Sequence, residues 1–341
     1  MYNLNSRKVY LDNLRFLASF FVIVIHVAAQ RWGSVDVSSF NWNVYNFYDG
    51  IARFCVPIFV MISGAVFLGK KIPLYNILKK YIARLVIVYF MWSLLYALIE
   101  QEKITSIVAS TIMGHYHLWF LPMIIGCYLC LPIINKVVED ELLEKYFLVL
   151  SGVFAFLIPT VNDLINNFGN TFLQKANSLL NYIVNNMYFH LPLGYVGYFV
   201  MGHYLANKNF KKGERIILYI GGIFGTLATI FLTRILSIQE KSAQTLFYRY
   251  ISLNVMMSAI FLFVLAKNID IKIKYNFAIE KVSLGIYLIH PLLIENLKLL
   301  PIDLYSMNPV YGVLLISVII WLCSAIIVSL MNRLPFVKNI V

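Results

Sequence analysis

Ten apolar segments run through the chain, near residues 10–31, 50–68, 81–99, 117–136, 146–161, 188–207, 216–237, 246–266, 282–299 and 309–331. Each has about the length a helix needs to cross ~30 Å of hydrocarbon at about 1.5 Å per residue. The fifth is the shortest. Only 13% of the 341 residues are charged, whereas a soluble chain carries about a quarter. The sequence therefore reads as all-α: a polytopic transmembrane helix bundle of about ten spans. Residues 1–341 form a single membrane-embedded domain, with no soluble domain and no internal repeat between the spans.

The net charge of +12 does not point to nucleic acid, because the basic residues sit in short blocks between apolar runs. Such blocks set membrane orientation. Counted by loop, 18 Lys and Arg fall on the side shared by both ends of the chain and 5 on the other. That bias places both termini and the even-numbered loops in the cytoplasm. The first segment has a basic start, but its apolar part is long and interrupted by polar groups. It reads as a retained span, not a cleaved leader. Cys55, Cys127, Cys130 and Cys323 all lie in apolar runs, so no disulfide is expected. Cys127 and Cys130 read as two small apolar side chains on one helix face.

Ionisable groups inside a bilayer are costly and mark function more often than packing. Arg15 and His26 lie eleven residues apart, so on a helix they differ by about 20° in direction and ~16 Å along the axis. Asp12 is placed to pair with Arg15. Arg15 could snorkel to the surface, and His26 could simply bond a neighbouring helix; a shared functional face is the other reading. The fourth segment opens "HYHLWFLPMIIGCYLCLPII", with His115, His117 and Trp119 at the outer side. On a helix an H-x-H pair points its side chains about 200° apart, so no metal site is expected there. Arg53 sits near the outer end of the second segment, and Ser63-Gly64 reads as a close helix contact. Tyr287 and His290 fall mid-membrane, with Pro291 interrupting the helix. Lys79, Lys80 and Arg84 open the third segment at the cytoplasmic face, where charge alone reads as anchoring.

Four blocks, "DNLRFLASFFVIVIH", "VPIFVMISG", "YHLWFLPMIIGCYLCLPII" and "SLGIYLIHPLL", stand in an order that resembles the acyltransferase 3 family of bacterial membrane acyltransferases. The arginine, ten residues, histidine spacing of Arg15 and His26 is the family's first-span pattern. The "HLWFL" form is similar to that of stand-alone members that O-acetylate surface polysaccharides. Where many members carry R-x-x-R before the third span, this chain has "KKYIAR", so Lys80 and Arg84 stand at a different spacing.

The resemblance implies an enzyme of the bacterial plasma membrane. It would transfer an acyl group, acetyl above all, from cytoplasmic acyl-CoA to a hydroxyl of an extracytoplasmic glycan or lipid-linked sugar. It implies Lys79, Lys80 and Arg84 at the CoA phosphates and Arg15 along the path of the pantetheine arm. His26 would act at the reacting centre as base or acyl carrier. Asp12, Arg53, Ser63, His117, Trp119, Tyr287 and His290 would support the substrates around it, with no metal. The Asn-rich stretch 162–187, with Asn166, Asn167, Phe168, Phe172 and Tyr182, is expected to be the longest outer loop and to help bind the acceptor. A transporter for a polysaccharide unit or small anion is the rival reading. Against it stand the missing repeat and the missing symmetric pair of broken helices.

Overall fold

The structure is a computed structural model and describes residues 9–100, 104–186, 194–269, 279–298 and 304–334. It is all-helical. Among the described residues, seven helices are long and apolar enough to cross a membrane, or eight if one bent pair counts as a span. Helix covers part or all of each of the ten apolar segments. The sixth is described only from Tyr195 to Asn207, and the ninth, Ile279–Leu297, has a shorter apolar part. Most of both terminal stretches, residues 1–8 and 335–341, lies outside the described residues, as do Lys272 and Lys274, which entered the charge count.

Helix starts follow local chemistry. Ser39 Oγ accepts the Trp42 N–H at the start of Phe40–Ala52. Asp140 Oδ1 accepts from Leu142 and Leu143 at the start of Glu141–Ser151. Asn308 caps Pro309–Met331, with proline at the position where a missing N–H is harmless.

Three expected elements differ. The fourth segment is not one straight span. Phe120–Leu129 and Leu131–Val138 meet at 58°, because Pro132 supplies no N–H to continue the ladder. Cys127 lies one turn before this bend and Cys130 closes that turn with helical dihedrals, and all four cysteines are free thiols. The second segment extends back to Phe40 and is broken at Arg53 and Phe54. The stretch 162–187 is no loop. Helix runs on to Phe168 and resumes over Thr171–Asn186. Its amides bond one another: Asn177 donates to Asn166, Asn162 to Asn181, and Asn167 to the Asp163 carbonyl. The side chain of Tyr182 lies outside the described residues.

Val9–Trp32 is the central helix. It packs on Phe40–Ala52, Cys55–Phe67, Leu253–Asn268, Ile279–Leu297 and Pro309–Met331. Trp321 Nε1 donates to Ser19 Oγ at 2.9 Å and ties the last helix to the first. The expected close contact at Ser63-Gly64 is present. A Cβ on Gly64 would fall 1.7 Å from the Phe199 carbonyl oxygen, and one on Gly202 would fall 1.9 Å from that of Met61. The polarity is that of a membrane protein. Asp12, Asp49, His117, Glu144 and His290 are buried, while Ile217, Ile220, Phe224 and Phe231 are exposed along Lys212–Gln239. Such an apolar exterior is stable against lipid and unstable against water.

A histidine-lined cavity and its surroundings

Along Val9–Trp32 the 3.6-residue turn carries Asp12, Arg15 and His26 to related faces, as the spacing requires. Arg15 Nη1 donates to Asp12 Oδ1 at 2.9 Å, and Asp12 is buried. His26 is half-buried, its open part facing a cavity of about 130 Å³. Its ring lies 5.0 Å from that of His290 and 5.5 Å from that of Tyr116, centre to centre.

The H-x-H pair is not on a helix, which removes the premise of the sequence argument. Ile104–Met113 ends at Gly114, whose φ of +76° lies in the left-handed region that a Cβ would disfavour. The chain then turns through 115–119 before Phe120 starts the next helix. The two imidazoles meet, with their Nδ1 atoms 2.6 Å apart. His117 is 2% exposed. The Tyr287 hydroxyl donates to its carbonyl, and its ring lies 5.7 Å from that of His290.

His290 comes from Ile279–Leu297 and is fully buried. Its Nδ1 lies 3.1 Å from the Ile286 carbonyl, which can only accept, so Nδ1 carries a proton. The helix Ile279–Leu297 continues through Pro291, where a hydroxyl from another helix meets its backbone. The Tyr96 hydroxyl donates to Leu288 O at 2.8 Å and accepts from Leu292 N at 3.3 Å, so it inserts into the backbone ladder beside the proline. Nε2 of His117 and Nε2 of His290 are buried and make no hydrogen bond to any described residue.

His26, His117, Trp119 and Tyr287 thus line one cavity, otherwise walled by Val22, Ile25, Val56, Phe59 and Phe120. His290 stands directly behind it. Trp119 stacks on Tyr250 at 5.6 Å, and Tyr250 also lines the wall. Arg53 is one layer back, buried against Asp49 in an ion pair, with its guanidinium 4.1 Å over Tyr248 and 5.8 Å from Tyr250. Asp49 was missed by sequence reasoning, although its spacing four residues before Arg53 was a usable signal. Ser63 is not in the cavity; its hydroxyl donates to Phe59 O within its own helix. Lys79, Lys80 and Arg84 are exposed near the start of Leu74–Glu100, and Glu100 at the other end reaches His115. That separation is ~30 Å along the axis, so these cations and the histidines stand at opposite ends of one helix. Arg15 lies at an intermediate position.

Glu100 and Glu295 also escaped the sequence reading. His115 Nε2 lies 2.9 Å from Glu100 Oε1 and 3.5 Å from Glu295 Oε1. Ligand atoms of these three residues fall within 4.8 Å of one another, a spacing that could hold a metal ion. Chemically, the cavity offers imidazole nitrogens with lone pairs in apolar surroundings, where water competes little for a reacting group.

No match was found among the curated proteins or the solved structures. A family model described as an acyltransferase domain matches residues 8–328. That range takes in the central helix, the 115–119 turn, the Ile279–Leu297 helix and every histidine of the cavity, and on this match the chain belongs to the acyltransferase 3 family.

Proposed function

We propose that this membrane acyltransferase moves an acetyl group from cytoplasmic acetyl-CoA to a hydroxyl of an extracytoplasmic glycan or lipid-linked sugar. The observation that carries the reading is that His26 and His117 line one small apolar cavity, with His290 packed against both from behind. It lies ~16 Å along the central helix from Arg15 and at the far end of the Leu74–Glu100 helix from Lys79, Lys80 and Arg84. Acyl-CoA is anionic and stays on the cytoplasmic side, so only its thin pantetheine arm needs to enter the bundle. The three cations suit its phosphates, and Arg15 suits the polar arm on its way inward. His26 then takes the hydroxyl proton as the new C–O bond forms, or carries the acyl group itself. General-base help of this kind is worth about 10²- to 10⁴-fold. The apolar wall favours an uncharged acyl group over a succinyl group, since no lysine or arginine among the described residues lines this cavity. Ten spans with both termini in the cytoplasm, in a bacterial plasma membrane, complete the reading. Purified protein in liposomes with labelled acetyl-CoA tests it. Release of free CoA that depends on a sugar acceptor is the expected result, and no acyl transfer to any surface glycan would refute it.

A further inference from the structure

We infer that His117 is a second proton acceptor in the cavity, and that His115, backed by Glu100 and Glu295, is the station that receives its charge. The inference deepens the acyl-transfer reading and rests on it.

The hydrogen-bond geometry leads there. Nε2 of His115 faces two carboxylates at 2.9 and 3.5 Å. Carboxylates accept, so this nitrogen carries a proton. Its Nδ1 lies 2.6 Å from Nδ1 of His117, and two nitrogens this close share one hydrogen. When that hydrogen resides on His117, Nε2 of His117 is a bare lone pair. This atom is buried, bonds no described residue and belongs to a residue that lines the cavity. If Nε2 takes a proton from a hydroxyl, the Nδ1 proton can cross to His115. The positive charge then leaves an apolar wall, where it is costly, and comes to rest between two carboxylates.

The step balances. The hydroxyl O–H bond breaks as its oxygen bonds the acyl carbon, and the proton goes to His117 Nε2. The C–S bond breaks, and the CoA sulfur leaves as the thiol by taking one proton back from the histidine cluster. The pair ends as it began, with no oxidant or other reactant. His115 is faced by Glu100 from Leu74–Glu100, Glu295 from Ile279–Leu297 and His117 from its own turn. The Tyr96 ring stacks on it at 4.2 Å, and Tyr116 sits at 4.3 Å. A polar cavity of about 310 Å³ opens beside it, lined by Ser93, Ser110, Glu100 and Glu295.

That cavity permits chemical rescue. His115→Ala should lower kcat for acyl transfer by about 10²-fold, with KM for acetyl-CoA unchanged. His115→Gln, which keeps a hydrogen-bonding group but cannot take a proton, should be equally slow. Added imidazole should restore His115→Ala, whereas pyrrole, of the same size but not basic, should not. Wild-type kcat in His115→Gln, or equal rescue by pyrrole, would overturn the relay. So would loss of activity on chelation with recovery on adding zinc, which would make Glu100, His115 and Glu295 metal ligands. A readout independent of turnover separates this idea from the reaction itself. In ¹⁵N-histidine spectra of the wild-type protein, a proton shared between two imidazoles should appear and vanish in His115→Gln. Its absence refutes the relay even if acyl transfer is robust, and its presence supports the relay even if the acceptor proposed above is wrong.

Discussion

His26→Gln separates chemistry from packing at the scale of one residue. Glutamine keeps a hydrogen-bonding side chain of similar reach but takes up no proton near neutral pH. If His26 is base or acyl carrier, the purified, monodisperse variant should be as inactive as His26→Ala, a loss of about 10²-fold or more. Near-wild-type turnover in His26→Gln would leave the chemistry to His117 or His290. Arg53 calls for a different argument, because its charge is buried against Asp49 and two tyrosine rings. Asp49→Asn leaves that guanidinium without its counter-charge and should destabilise the fold by about 3 kcal/mol. The double variant Asp49→Asn/Arg53→Gln should regain much of the loss in a thermal unfolding assay in detergent. The Arg15 and His26 face was readable because an α-helix has one period, and depth along it follows from counting. Glu100 and Glu295 were not. Each looks like an ordinary charge near the end of an apolar run, and only tertiary packing turns it toward a partner.

Elements were legible wherever a single periodic pattern decided them, as for the first and last helices. They were misread where a local residue outranked the pattern. Gly114 and the turn after it remove the premise of the H-x-H argument, since a helical angle does not apply to residues that are not helical. Pro132 bent the fourth segment in the same way. The stretch 162–187 follows an apolar segment and is polar, which suggests a loop, yet its amides bond one another between two helices. The helix Ile279–Leu297 runs on past Pro291, and the Tyr96 hydroxyl beside it is not legible in the sequence. Tyr96→Phe removes the hydroxyl that bridges Leu288 and Leu292, leaving a buried N–H or carbonyl to find a new partner. The expected cost is about 1–2 kcal/mol. A drop in kcat should accompany it, because His290 lies between the two bridged residues. Unaltered melting temperature and kcat would mean that the ladder closes on itself without help.

At the scale of the molecule, the fold keeps a cationic end and a histidine end apart on shared helices, and the proposed reaction needs that separation. The orientation follows from charge bias, so it is checked first. Lys211 and Ser242 flank the 28-residue helix Lys212–Gln239, ~40 Å apart along its axis. Single cysteines there, in a background without the four native ones, should label from opposite sides in intact cells; labelling from one side would defeat the topology. With orientation fixed, the cationic end becomes testable. Lys79, Lys80 and Arg84 are exposed on a helical stretch whose first part, Ile77–Ile82, is wound as a π-helix. The wider turn alters the directions in which these side chains leave the axis, so the departure from R-x-x-R spacing does not by itself prevent them from meeting one anionic group. Neutralising all three with glutamine should weaken CoA binding about 10-fold at roughly 0.01 M salt, where the Debye length is ~30 Å. The deficit should shrink as salt rises, because screening removes from the wild type what the variant already lacks. Acceptor KM should not move, since the acceptor meets the opposite end. CoA affinity equal to wild type at both salt concentrations would show that the donor reaches the cavity by another route, and Arg15 would then be the nearest remaining cation on the path to His26.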